Sequence, residues 1–336
     1  MLTDYRSLIT DYRLAMIKKL IFITTLLISL VLREAKAQSS KSSFKVVGYY
    51  SLRSALTADS KPIPLKKLTH VNLWFLNPDT LGNFTQDLSA MAPFIKAAHR
   101  KKVKVLFSIA GGSPHPYYHN LLKDDNRTVF IDHLVSEVRR YDVDGIDVDL
   151  EGGDIDENYE KFVVELARAL RSQNKMITAA VAIYYKDHVT DYALSQYDFV
   201  NVMSYDRTGS WRPDKPGPHS TLAHAEEDLE YFGVVKKIPR EKMTLGVPFY
   251  GYGFGPELTS PAISMNFGQI VSAYPGSESV DQWKTPEGKI LYYNGLPTMK
   301  QKTLLAKQKA SGIMIWQIAG DATGSKSLLK LIHKAR

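Results

Sequence analysis

Carboxyl side chains recur at every second position in the stretch Val143-Asp144-Gly145-Ile146-Asp147-Val148-Asp149-Leu150-Glu151. Acidic residues alternate there with aliphatic ones, which is the two-residue period of a β-strand. A strand sends Asp147, Asp149 and Glu151 to one face and Ile146, Val148 and Leu150 to the other. Adjacent acids on that face start only ~6.6–6.8 Å apart, at ~3.3–3.4 Å of rise per residue. Carboxyls that close resist joint ionisation, so at least one holds a proton near neutral pH. A protonated carboxyl beside ionised ones is the equipment of general acid catalysis.

Two plainer readings fail on the residue types. A helix–loop–helix calcium loop needs D-x-[DN]-x-[DN]-G followed by a Glu. Here Gly145 precedes the acidic pair, aliphatic residues fill the gaps and Gly152-Gly153 follow. A solvated edge strand has no reason to set Ile146, Val148 and Leu150 opposite its acids.

The rest of the chain must position that strand. Apolar runs predict further strands over 44–50, 71–76, 103–109, 176–183, 199–205, 243–249 and 313–316. Between them, helical spacing covers 87–101, 126–141, 156–172, 221–235, 299–310 and 325–334. Asn126 is the expected N-cap of its helix, with Phe130, Leu134 and Val138 along one face. About eight strands alternating with helices predict an α/β fold, a TIM (β/α)8 barrel. In such barrels the chemistry sits at the C-terminal ends of the strands. Glu151 lies at such an end, and so do Tyr49, residues 72–75, Gly111-Gly112, Tyr205-Asp206, Tyr250 and Trp316. Aromatic and polar residues gathered at one rim suit a sugar, whose ring faces stack while its hydroxyls hydrogen-bond.

Asp144-Gly145-Ile146-Asp147-Val148-Asp149-Leu150-Glu151 resembles the D-G-x-D-x-D-x-E signature of glycoside hydrolase family 18, the chitinase family. Four shorter stretches, each at a predicted strand end, resemble other family segments in the same order. They are Ser108-Ile109-Ala110-Gly111-Gly112, Met203-Ser204-Tyr205-Asp206, Gly246-Val247-Pro248-Phe249-Tyr250-Gly251 and Gly312-Ile313-Met314-Ile315-Trp316. The chain looks like the short single-domain bacterial members. Residues 253–297 leave room for at most a small insertion between strands seven and eight, and so for a shallow groove. Trp74 stands where the family has a small residue, either enlarging the core or narrowing the groove.

The resemblance implies hydrolysis of β-1,4-linked N-acetylglucosamine polymers, chitin or chitooligosaccharides, by a substrate-assisted retaining route. Glu151 is then the acid and later the base, and Asp149 orients the substrate acetamide and hydrogen-bonds Glu151. Asp147 shares charge with Asp149, and Tyr205 donates to the acetamido oxygen. Trp316 forms the floor under the sugar, Met203 and Asp206 shape the subsite, and Tyr49, Phe75, Tyr250 and Gly111 complete the rim. Asp144, of opposite parity, is structural. The route needs no metal and no cofactor. Two other readings share these motifs: an endo-β-N-acetylglucosaminidase acting on the chitobiose core of N-glycans, and a non-catalytic chitin-binding lectin. Lectins of this type lose the terminal Glu, which this chain keeps.

Composition sets the compartment and the partners. The apolar run 20–32 follows Lys18-Lys19 and precedes Ala35-Lys36-Ala37, which reads as a secretory signal over 1–37. Translation then starts at Met1 or Met16. The run is shorter than the ~20 residues of a spanning helix. A secreted or periplasmic protein is expected, with no stable membrane insertion after cleavage and a single catalytic domain over 38–336. The chain has no cysteine, which removes disulfides and thiolate metal sites. Its formal charge of +8 is spread along the chain without a nucleic-acid motif, so no nucleic-acid partner is expected. A monomer acting on N-acetylglucosamine-containing glycans is the expected working form.

Overall fold

Eight short parallel strands close on themselves around the acidic stretch. The computed structural model describes residues 44–57, 63–257 and 261–336, so the expected signal and the segment after it lie outside the described residues. In chain order the strands are β1 (Lys45–Ser51), β2 (His70–Trp74), β3 (Lys104–Ala110), β4 (Gly145–Asp149), β5 (Met176–Val181), β6 (Phe199–Val202), β7 (Met243–Pro248), β8 (Tyr250–Phe254), β9 (Ile263–Asn266), β10 (Gln282–Lys284), β11 (Ile290–Tyr292) and β12 (Gly312–Trp316). The closed barrel runs β1-β12-β7-β6-β5-β4-β3-β2, as expected for a TIM (β/α)8 fold. The register sets Ser108 beside Asp147 and Asp147 beside Thr178, all pointing inward.

Burial on both faces explains the near-continuous apolar strands. Ile146, Val148 and Leu150 face outward from β4 into the helix-covered core, each at most 1% exposed. Each such side chain contributes about 1.5–3 kcal/mol through burial. The helix Tyr159–Arg171 supplies Phe162, Val163, Leu166 and Leu170 to that layer, and the helix Asp124–Arg140 supplies Phe130, Leu134 and Val138. The latter begins before Asn126, so the expected N-cap is corrected. Lys123 occupies the cap position, while Asp124 and Asp125 face the positive end of the helix dipole. The Asn126 side chain reaches the Asn120 carbonyl instead.

The segment between β7 and β12 is short but folded. Strands β8 to β11 make an antiparallel sheet in the order β10-β11-β8-β9, with the helix Phe267–Ala273 packed beside it. Its strands are three to five residues long and partly glycine, too short to carry a periodic signal.

Several strands stop earlier than expected, and two of them shape the mouth of the barrel. β6 ends at Val202 and β4 at Asp149, so Met203–Asp206 and Glu151 leave the hydrogen-bonded ladder at the mouth of the barrel. At the opposite end, Asp144 accepts from the Val105 backbone and from the Lys104 ammonium, and its Oδ2 lies 2.9 Å from His99 Nε2. Its structural role holds.

Candidate active site

The interior of the barrel is polar at one level. Asp147 is fully buried and accepts four hydrogen bonds: Tyr49 Oη at 2.5 Å, Thr178 Oγ1 at 2.6 Å, Ser108 Oγ at 2.8 Å and Asn201 Nδ2 at 3.3 Å. Burial pushes its pKa up, and the bonds from Thr178, Tyr49 and Ser108 resist that rise by favouring the charged form.

One step nearer the mouth the supply of donors ends. Asp149 is 3% exposed, and its Oδ1 has no hydrogen-bond partner. Burial first, then the charges of Glu151 and Asp147, hold its carboxyl well above the ordinary range. Beneath it, Gly111 adopts φ +64°, and a side chain there would meet the Phe75 ring at 2.2 Å and Asp149 Oδ2 at 2.8 Å. Only glycine fits that approach. Glu151 is raised as well, by burial and by the charges of Asp206 and Asp154, against the Gly112 backbone amide. Among the described hydrogen bonds none joins Asp149 to Glu151. Charge, rather than the expected bond, couples them.

Tyr205 comes from the segment after β6 and is 6% exposed. Its hydroxyl reaches only the Met314 sulfur, at 3.9 Å, so it keeps its donor capacity. Burial and the surrounding carboxyls push its pKa well above the phenol value, which keeps that proton in place. Asp206 adopts φ +63°. Its Oδ1 collects the Tyr250 hydroxyl at 2.5 Å and the Tyr252 hydroxyl at 3.1 Å, with His219 Nδ1 at 3.2 Å. Trp316 packs against Tyr49, Trp74 and Phe75 with ring centroids 5.3, 5.4 and 5.9 Å away, and the Phe75 pair is stacked.

These groups open into one cavity of about 420 Å³, lined by Asp149, Glu151, Met203, Tyr205, Asp206 and Trp316 together with Gly112, Ala182, Tyr184 and Trp211. Every expected catalytic residue except Asp147 lies on its wall. Asp147 sits one layer below, where its donors surround it. Tyr49, Phe75, Tyr250 and Gly111, expected at the rim, do not line the cavity. The Tyr49 and Tyr250 hydroxyls are spent on Asp147 and Asp206, Phe75 backs Trp316, and Gly111 lies under Phe75. Trp74 also lies behind Trp316, so it thickens the floor.

Sequence reasoning missed Tyr184, Trp211, Tyr252 and His219. Tyr184 directly follows the predicted strand over 176–183, so the strand-end rule was enough to find it. Trp211 sits in a polar loop and is 56% exposed, a cost that a ligand-facing ring explains. Nothing in the sequence pointed to Tyr252 or His219 as holders of Asp206.

A fully buried acid, an acid of raised pKa, a half-buried acid at the mouth and an aromatic floor can protonate a leaving oxygen beneath a stacked sugar ring. The model of the family described as glycosyl hydrolases family 18 matches residues 45–321. The chain is similar to the crystal structure of the GH18 chitinase ChiB from the chitin utilization locus of Flavobacterium johnsoniae, at 37% identity and TM-score 0.76, covering 87% of this chain and 94% of that one. It is similar to a chitinase of Bacteroides thetaiotaomicron at 26% identity and TM-score 0.73, covering 87% and 96%. A chitinase-like effector of Moniliophthora perniciosa is 29% identical over 74% of this chain. The chain spans between about half and two thirds of the length of the first curated relatives it matches, 53% and 66%.

Proposed function

The chain belongs to glycosyl hydrolase family 18, and from that membership we propose that it cleaves β-1,4 bonds beside N-acetylglucosamine units in chitin or chitooligosaccharides. Glu151 protonates the leaving oxygen as the bond to the anomeric carbon breaks. The substrate's own acetamido oxygen attacks that carbon from the opposite face, and the tether between nucleophile and ring lowers the entropic barrier. Tyr205 donates its hydroxyl to the acetamido oxygen, and Asp149 accepts the acetamido N–H, which orients the group as positive charge develops on it. Glu151, now ionised, takes a proton from water as the cyclic intermediate opens, and the anomeric configuration is retained. Asp147 and its donors hold Asp149 from below. Trp316 supports the ring under attack, and Tyr184 and Trp211 offer aromatic faces on the rest of the cavity wall.

The observation that carries this reading is the unspent hydroxyl of Tyr205 in the same cavity as two carboxyls of raised pKa. Polar groups in a buried wall normally find partners. Here Asp149 Oδ1 has none and Tyr205 has only a thioether, which suits a ligand that brings an acceptor and a donor. A secondary amide brings both. The relatives named chitinases favour chitin over an N-glycan core as substrate. Export, read from residues 20–32, agrees with a polymer too large to enter a cell. Product analysis after incubation with labelled chitin oligomers and, separately, a high-mannose glycoprotein tests the substrate. Shortened chitin oligomers with an intact glycoprotein are expected. Release of the glycan with untouched chitin oligomers would overturn the choice.

A further inference from the structure

The segment that leaves β4 after Glu151 is tied to the segment that leaves β3. The Asp154 carboxyl is 5% exposed, and its Oδ2 accepts the His115 backbone N–H at 2.7 Å. The same oxygen lies 3.9 Å from His115 Nδ1, a buried ring nitrogen with no hydrogen-bond partner. The backbone N–H of Asp154 donates to the Glu151 carbonyl at 3.0 Å. Further along the same two segments, His119 Nδ1 and Asp156 Oδ2 stand 2.8 Å apart.

What these ties hold is the stretch that faces the acid. Ala110, Gly111 and Gly112 take φ of +64°, +64° and +75° in succession, a conformation that the backbone does not favour unaided. Asn77 fixes one end, accepting the Ala110 N–H at 2.6 Å and donating to the Ala110 carbonyl at 3.1 Å. Asp154 fixes the other end through His115. Between them the Gly112 amide acts on the Glu151 carboxyl.

We propose that Asp154 is a positioning residue for Glu151: it clamps the loop that carries the Gly112 amide and sets its own carboxyl near the acid. This rests on the reading of Glu151 as the acid. The two actions oppose each other at Glu151, where the Asp154 charge favours the protonated carboxyl and the Gly112 amide favours the ionised one. The groups facing Asp154 are His115, Tyr117 and Tyr118 from the β3 side and Glu151 from its own segment. Those facing Glu151 are Asp149, Asp206, Tyr185 and Tyr205.

Two substitutions separate the actions. Asp154→Asn keeps an acceptor for the His115 amide and removes the charge, while Asp154→Ala removes both. Carboxyl-carbon NMR of the whole protein follows the titration of Glu151 with no need for turnover. The Asn variant is expected to move the Glu151 midpoint to lower pH by roughly half a pH unit, and the basic limb of kcat with it. The Ala variant is expected to speed amide exchange over residues 112–115 about tenfold or more and to lower kcat with little change in KM. A Glu151 midpoint unmoved or raised in the Asn variant would overturn the proposal, as would unchanged exchange in the Ala variant. Should the Ala variant fail to fold, the Asn titration decides. An inactive parent would remove the assigned function, whereas the titration would still judge the charge and the amide exchange the clamp.

Discussion

Asp147 and Asp149 stand two residues apart on the same face of one strand, both buried, yet they are different chemical objects. Four donors converge on Asp147, and the barrel wall is complete around it. Asp149 Oδ1 has no partner, and the carboxyl opens into the cavity beside Glu151. Burial is common to both, so burial alone does not make a working acid. The supply of donors decides. Where donors are abundant the carboxyl is scaffold, and where they are withheld its pKa is held further above the ordinary range and it waits for a ligand.

The largest expected effect is at the open end. Glu151→Gln should lower kcat roughly 10²–10⁴-fold while leaving the thermal melt and oligosaccharide binding in place. Turnover within tenfold of the parent, measured on a chitooligosaccharide, would remove the assigned acid. Tyr205→Phe comes next, with a loss of about 10²–10³ in kcat and little change in KM. A change confined to KM would make Tyr205 a binding group only.

Stability separates the two aspartates by sign. The pKa of Asp149 is raised in the folded state, so the native protein holds that proton more tightly than the unfolded chain does. That contribution is complete below the ordinary carboxyl range and is lost as pH rises through the raised value. Asp149→Asn stays neutral throughout, so it should melt higher than the parent at about pH 8, with the gap closing toward about pH 4. Asp147→Asn turns an amide N–H toward donors, and is expected to cost about 1–3 kcal/mol in denaturant melts. Equal shifts of one sign at both positions would erase the distinction. The smallest effect is at Asp206. Its charge helps to raise Glu151, so Asp206→Asn should move the basic limb of the kcat–pH profile downward by roughly half a pH unit.

The strand that carries the acids was legible because its two faces differ at every residue, and the barrel because apolar runs alternate with helical spacing. Glu151, Asp149, Tyr205, Asp206 and Trp316 were legible because each closes a strand at one end of the barrel. Depth was not. Tyr49 and Tyr250 sit at strand ends as expected, but their hydroxyls turn to Asp147 and Asp206, a choice made by partners distant in sequence. Trp211 and His219 come from one polar loop whose path no periodicity records. The sheet β8 to β11 stayed hidden because its strands are too short to show a period.

A single comparison of substrates tests the account most directly. Chitooligosaccharides and cello-oligosaccharides of equal length differ at the 2-acetamido group, the proposed internal nucleophile. Proton NMR during hydrolysis reports both cleavage and the first anomer released. The expected result is cleavage of the chitooligosaccharide alone, with the β-anomer appearing first. Hydrolysis of both at similar rates, or first release of the α-anomer, would contradict it.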